Sequence, residues 1–123
     1  MTDVDVAKGS LVAEEIRGHG GDAIFIEHDV ADEAGWDHVM KVVIERFKKL
    51  DVLVNNAGVA LAKDVEHTTL EEWRWLMSID LEGVFLGTKH AIHTMKANGS
   101  GSIVNLSSIE GLVGVSHSWQ VAR

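Results

Sequence analysis

Two short stretches combine residue types that could bind a ligand with positions at the ends of apolar runs. Asn55-Asn56-Ala57-Gly58 follows Val52-Leu53-Val54, and Ser107-Ser108 follows an apolar run that begins at Ile103. Runs of this kind are typical of strands buried in a parallel sheet, whose carboxyl ends open onto the ligand crevice. A carboxamide both donates and accepts hydrogen bonds, and Ala-Gly leaves room for a ligand beside the backbone. Each stretch by itself is better explained as an ordinary turn or helix cap.

The elements that must position these stretches alternate between helix and strand. Apolar periodicity and capping residues predict helices over residues 6–17, from Asp32 to Phe47, and over 69–97, and strands over 23–26, 52–54 and 101–106. No strand is expected before Asp5, and Thr68-Thr69-Leu70-Glu71 has the spacing of a capping box. Helix and strand in alternation predict an α/β fold with a parallel sheet of three strands and three main helices.

The helix over residues 69–97 carries apolar side chains at steps of three and four. This spacing predicts one buried face along its whole length. The residues on that face are Leu70, Trp73, Met77, Leu81, Val84, Thr88, Ile92 and Met95.

Both stretches resemble motifs of the short-chain dehydrogenase/reductase family. Asn55-Asn56-Ala57-Gly58 resembles its Asn-Asn-Ala-Gly motif, and residues 101–111 resemble its catalytic-serine segment. The resemblance extends over residues 3–114 and is closest to secondary-alcohol and cyclic-alcohol dehydrogenases. It implies one incomplete, partial Rossmann-like NAD(P)-binding domain over residues 1–123. The implied reaction is hydride transfer between a nicotinamide cofactor and a secondary alcohol or ketone.

The resemblance also assigns roles to individual residues. Ser108 is expected to hydrogen-bond the substrate oxygen. Asn56, Ala57 and Gly58 are expected to border the cofactor. Asp29 matches an aspartate that hydrogen-bonds the adenine ring, with Val30 adding a backbone contact; an ordinary helix-entry role explains Asp29 equally well.

Two further acidic residues receive roles from the resemblance. Asp3 matches a carboxylate that accepts from the ribose 2′-OH and repels a 2′-phosphate, which favours NAD over NADP. Asp5 is the competing candidate for that role. Asp80 stands where the family usually has the asparagine that holds a water of the proton relay. An ionised aspartate accepts hydrogen bonds but cannot donate them.

Three parts of the family pattern have no counterpart in this sequence. There is no glycine-rich phosphate turn between a strand and a helix, no tyrosine anywhere, and no lysine after Lys96. The family's general acid/base is a tyrosine in Tyr-x-x-x-Lys, and Val121 stands near its position. We therefore expect an internal fragment that does not catalyse the family reaction alone. The missing turn argues against tight dinucleotide binding by these residues alone.

The sheet order of the fold family makes a further prediction. In the order 3-2-1-4-5-6, the predicted strands correspond to strands 3, 4 and 5. With strands 1 and 2 missing, the strand at Phe25 either remains unpaired across a gap or slides over to pair with the strand at Val52. Lost burial of the central strands predicts marginal stability.

Composition excludes several classes of function. Acidic residues outnumber basic ones 19 to 11, the formal charge is −8, and no basic stripe suggests a nucleic-acid surface. No cysteine is present, and no apolar run has the length of a membrane span or signal peptide, so we expect a cytoplasmic protein. His90 and His93 lack a third metal ligand, so no metal site is expected.

Two alternatives to the enzyme reading remain open. A non-catalytic interaction protein could associate with a full-length relative, or with a second copy, through the helix over residues 69–97. A weak adenosine-binding module could use Asp3 and Asp29.

Overall fold

The computed structural model describes residues 1–108 and confirms the predicted α/β class. Its helices are α1 (Val6–Gly18), α2 (Glu33–Phe47), α3 (Leu70–Met77) and α4 (Gly83–Asn98), and its strands are β1 (Thr2–Asp3), β2 (Ile26–Glu27), β3 (Val52–Asn55) and β4 (Ser102–Asn105). A 3-10 turn (Val65–His67) precedes α3, and a π-helical turn (Ser78–Glu82) joins α3 to α4. No helix within this range is long and apolar enough to cross a membrane.

Side-chain caps begin three of the four helices. The Asp5 carboxylate accepts from the Lys8 N–H at 3.0 Å, and Asp32 accepts from the first-turn amides of α2. At α3 the capping box is formed by Thr69 and Glu72, whose side chains each bond the other's backbone N–H. The box predicted at Thr68 and Glu71 therefore lies one residue further along the chain.

The strands form two separate parallel pairs, β1 with β2 and β3 with β4. The expectation of no strand before Asp5 is wrong, because Thr2 pairs with Ile26 and Asp3 with Glu27. This pairing also decides the position of the strand after Phe25. It neither stays unpaired nor moves to β3, because β1 occupies its edge.

β1 and β3 lie at the facing edges of the two pairs. One groove is lined both by residues 1–4, which include β1, and by residues 52–59, which include β3. The order across the layer is therefore β2, β1, a gap, β3 and β4, and β1 and β3 are not hydrogen-bonded to each other.

The core lies where α2 and α4 pack against one face of β3 and β4. Its buried side chains are Trp36, Met40, Leu86, Ala91 and Met95, with Val30, Leu50, Leu53 and Ile103 packed around them. Gly87 permits this packing, since a Cβ there would lie 2.5 Å from Asn55 Oδ1 and 2.9 Å from the Trp36 ring. A larger residue would push α4 away from the sheet.

The buried face of the long helical segment differs from the predicted one. Of the predicted stripe only Met95 is buried, whereas Leu70, Leu81 and Ile92 are exposed. The core face instead carries Leu76, Asp80, Gly83, Leu86, Gly87 and Ala91. Small residues allow the closest approach to the sheet, so hydrophobicity alone selects the wrong face.

Replacing Leu76, which is fully buried, is expected to destabilise the chain far more than replacing Leu70 in the same helix. We expect Leu76→Ala to lower the free energy of unfolding by about 2–5 kcal/mol because it leaves a cavity. Leu70→Ala should change it by less than about 0.5 kcal/mol. Urea unfolding followed by circular dichroism measures both values, and equal losses would contradict the observed choice of face.

Candidate functional site

A groove of about 670 Å³ runs along the gap between the two strand pairs. Its walls contain every residue that the sequence assigned to cofactor binding, namely Asp3, Asp29, Val30, Asn56, Ala57 and Gly58. These residues lie up to 55 positions apart along the chain. The fold therefore brings the predicted cofactor-binding residues to one surface.

The carboxyl ends of three strands place these residues. Asp3 ends β1, Asp29 and Val30 follow β2, and Asn56 directly follows β3. Parallel strands collect their carboxyl ends on one side of a sheet, which is where open α/β sheets bind ligands. The side of the groove at the carboxyl ends of the strands thus carries two carboxylates at one end and a carboxamide with small residues at the other.

In each of the two carboxylates, one oxygen accepts a hydrogen bond from the backbone N–H two residues further along the chain. Asp3 Oδ1 accepts from the Asp5 N–H at 2.8 Å, and Asp29 Oδ1 accepts from the Ala31 N–H at 2.9 Å. Within residues 1–108 the second oxygen of each has no hydrogen-bond donor. Both groups are therefore oriented acceptors, suited to hydroxyl and amino groups of a ligand.

The two adjacent asparagines have different roles. Asn55 is buried, and its amide donates to Asn105 Oδ1 at 2.8 Å and to Thr88 Oγ1 at 3.3 Å. It therefore ties β3 to β4 and to α4. Asn56 is exposed and lies in the groove wall.

Asp80 is buried in the π-helical turn and holds the loop that follows Gly58. Its Oδ1 accepts from the Val59 N–H at 2.8 Å. The side-chain oxygen of an asparagine could accept the same hydrogen bond. The aspartate at this position therefore makes a contact that the family's asparagine could also make. Its part in a proton relay stays a prediction.

Ser108 follows β4, is partly buried, and is not among the residues that line the groove. Ser108 and Asn56 thus both lie at the carboxyl ends of β3 and β4, but only Asn56 lines the groove. The rest of the serine segment, residues 109–111, and Val121 lie outside the described residues. The substrate role of Ser108 stays a prediction.

His28 is a groove residue that the sequence analysis missed. Its ring is buried against Trp36, with ring centroids 4.6 Å apart in an edge-to-face arrangement. Within residues 1–108 neither ring nitrogen has a hydrogen-bond partner. Burial lowers the pKa of His28 below its usual 6.5, against smaller opposing effects of Asp32 and Asp29. The sequence feature that could have identified His28 is its position directly before Asp29, at the end of a strand.

The loop after Gly58 is held at its far end by an ion pair. Lys63 Nζ lies 2.8 Å from Glu72 Oε1, and Glu72 also caps α3. The bond from Lys63, followed by those from Thr69, lowers the pKa of Glu72 to about 2. Asp80 and Glu72 therefore fix the two ends of this loop.

Known proteins match this chain over most of its length. A family model described as short chain dehydrogenase matches residues 1–120. An NADP-dependent (R)-specific alcohol dehydrogenase of Lentilactobacillus kefiri is 53% identical over 97 residues, covering 77% of this chain and 38% of that protein.

Two other relatives cover more of the chain. A trans-4-hydroxycyclohexanecarboxylate dehydrogenase of Sinomonas cyclohexanicum is 48% identical over 120 residues, 93% of this chain and 46% of that protein. A cyclopentanol dehydrogenase of Comamonas testosteroni is 40% identical, again over 93% of this chain and 46% of its own length. The chain spans less than half the length of these curated relatives.

The buried His28 is expected to make stability depend on pH. Its folded-state pKa is below the unfolded value of 6.5, so the unfolded chain binds a proton first as the pH falls. The His28 contribution is therefore fully present above pH 6.5 and decreases below it. Urea midpoints between pH 7.5 and 5 should fall less steeply in His28→Phe. The exposed His93→Phe control should keep the steep dependence, and equal slopes in all three proteins would contradict the assignment.

The hydrogen bond from Val59 to Asp80 predicts that two substitutions of Asp80 differ in their cost to the free energy of unfolding. Asp80→Ala leaves the Val59 N–H without this acceptor and should cost about 1–3 kcal/mol of unfolding free energy. Asp80→Asn keeps an accepting oxygen and should cost less. Urea unfolding gives the energies, and amide exchange at Val59 should accelerate only in the alanine variant. Unchanged exchange in that variant would show that Asp80 does not hold the loop.

Proposed function

Because the chain belongs to the short-chain dehydrogenase family, we propose that residues 1–123 are the cofactor-bordering part of an NAD(P)-dependent oxidoreductase. The observation that carries this proposal is the single groove that contains Asp3, Asp29, Val30, Asn56, Ala57 and Gly58. The proposed substrates are small secondary alcohols or the corresponding ketones, as the names of the relatives suggest.

The groove residues fit the two ends of a nicotinamide dinucleotide. Asp3 would accept from the ribose hydroxyl of adenosine, and Asp29 would accept from the adenine amino group. Asn56, Ala57 and Gly58 would border the nicotinamide end. When bound, the cofactor supplies or accepts the hydride. Ser108 would hydrogen-bond the substrate oxygen.

The chain alone is proposed to be inactive. Its 123 residues contain no tyrosine, so the family's proton-transferring group is absent. No glycine-rich turn is present to bind the pyrophosphate through backbone amides. Full activity is therefore proposed for a longer polypeptide, in the cytoplasm.

NAD is proposed over NADP because of the carboxylate at Asp3. A carboxylate accepts a hydrogen bond from a 2′-hydroxyl and repels a 2′-phosphate. One relative, which is 53% identical to this chain over 97 residues, is named as NADP-dependent. Similarity to that relative therefore does not decide between NAD and NADP. The charge at the end of β1 is the feature that favours NAD here.

An interaction function is a second candidate, although the names of the relatives give it no support. The observation in its favour is the exposure of Leu81, Phe85 and Ile92 along the outer side of the helical segment. Such a patch is a common feature of surfaces that pack against another subunit. Association with a full-length relative would use this side.

Binding of adenosine nucleotides tests the proposed function. In nitrogen-15 NMR titrations, 5′-AMP should shift the amide signals of Asp3, Asp29 and Val30. Adenosine 2′,5′-bisphosphate should bind about tenfold more weakly because of charge repulsion. Asp3→Asn should narrow this difference, while Glu14→Gln, an exposed charge-matched control on α1, should preserve it.

The same preparation should produce no NADH from cyclopentanol and NAD⁺. Absence of AMP shifts in the groove, or shifts confined to other surfaces, would overturn the cofactor-bordering assignment. Alcohol-dependent NADH formation would overturn the proposed inactivity while leaving the family assignment intact.

A further inference from the structure

We propose that Trp36 positions the carboxylate of Asp29 for the adenine ring of the cofactor, acting through the peptide group between Val30 and Ala31. This role rests on the proposed function, in which Asp29 accepts from the adenine amino group. The side chain of Trp36 contacts the residues on both sides of Asp29. Because Trp36 acts through these neighbours, it is a positioning residue.

One planar peptide group connects Trp36 to Asp29. The indole Nε1 donates to the carbonyl oxygen of Val30 at 2.9 Å, in a partly buried bond. The N–H of Ala31, which belongs to the same peptide group, donates to Asp29 Oδ1 at 2.9 Å. Because a trans peptide is planar, its C=O and N–H point in opposite directions and turn together. When Trp36 holds the carbonyl, the N–H that orients the Asp29 carboxylate is held as well.

The ring of Trp36 holds the residue before Asp29. His28 is buried, and its ring meets Trp36 edge to face with centroids 4.6 Å apart. Gly35 permits this contact, because a Cβ there would lie 2.7 Å from Cδ2 of His28. Asp29 thus lies between two residues that contact the same side chain. Trp36 therefore limits the movement of the strand end on either side of Asp29.

Trp36 is itself held by the core. Only 4% of its surface is exposed, and the His90 ring stacks on it with centroids 6.4 Å apart. A Cβ at Gly87 would lie 2.9 Å from the indole ring, so α4 packs directly against it. A support that is already immobile loses little conformational entropy when a ligand binds. The core therefore holds the turn at Asp29 in place before a nucleotide arrives.

The polar groups left at this turn match the edge of an adenine ring. Within residues 1–108 the second oxygen of Asp29 has no donor, and the N–H of Val30 has no acceptor. An acceptor beside a donor complements the 6-amino group of adenine and the neighbouring ring nitrogen. Hydrogen bonds weaken steeply when their geometry is poor, so recognition of the base depends on the direction in which Trp36 sets this turn.

Discrimination between two bases tests the role of Trp36. The probes are 5′-AMP and purine riboside 5′-phosphate, which lacks only the 6-amino group. In nitrogen-15 NMR titrations the unmodified chain should bind 5′-AMP about tenfold more tightly than the analogue, because Asp29 accepts from the amino group. Trp36→Phe keeps an aromatic ring but loses the N–H. It should reduce this ratio to about threefold or less.

Met95→Ala is the matched control for lost stability. Met95 belongs to the buried cluster that contains Trp36, but it packs beside Gly101, just before β4 begins. Its truncation leaves a cavity and lowers the free energy of unfolding without touching the turn at Asp29. The ratio of the two nucleotide affinities should therefore stay unchanged in this variant.

The unmodified chain provides a second measurement that needs no substitution. Binding of 5′-AMP should shift the indole N–H signal of Trp36 together with the amide signal of Ala31, because both groups belong to the hydrogen-bond chain that ends at Asp29. The indole signals of Trp73 and Trp75, which are exposed on α3, should stay in place. This measurement decides the question even when Trp36→Phe does not fold.

The failure of this role can be distinguished from the failure of the proposed function. Absence of 5′-AMP binding to the unmodified chain would overturn the proposed function, and the role of Trp36 with it. Three outcomes would overturn the role of Trp36 alone: an unchanged affinity ratio in Trp36→Phe, an equally reduced ratio in Met95→Ala, or a Trp36 indole signal that stays fixed while the amide of Asp29 shifts.

Discussion

The close packing of α4 against β3 is the constraint on which most of this structure depends. Gly87 lets the helix approach until Asn55 and the Trp36 ring fill the space where a side chain would stand. The Asn55 amide then satisfies its hydrogen bonds with Asn105 and Thr88. A buried amide without these partners would cost free energy, so helix position and sheet register are fixed together.

This packing also explains how a short segment can present the groove residues that follow β3. With Asn55 held inside, the next residues leave the strand toward the groove, and Asp80 receives the chain again at Val59. The π-helical turn places this acidic side chain inward between α3 and α4. Turns of this type insert an extra residue into a helix and frequently occur at functional sites.

The groove combines two environments. Its middle is apolar and bounded by strand edges, whereas the side at the carboxyl ends of the strands carries the carboxylates of Asp3 and Asp29. The nucleotide of the proposed function would meet the carboxyl ends of the strands.

The sequence by itself determined the α/β class, the alternation of helix and strand from Val6 onward, and the residues at the carboxyl ends of β2, β3 and β4. Those features depend on local patterns, such as the apolar run before Asn55 and the cap at Asp32. Family resemblance added the expected roles of the groove residues, which stay predictions. The tertiary structure decided the pairing of β1 with β2, the buried face of α4 and the burial of His28. The pairing of β1 with β2 joins residues 24 positions apart in the sequence. The buried face of α4 depends on the close approach to the sheet that Gly87 permits. Such properties arise from contacts between elements, which periodicity within one element does not contain.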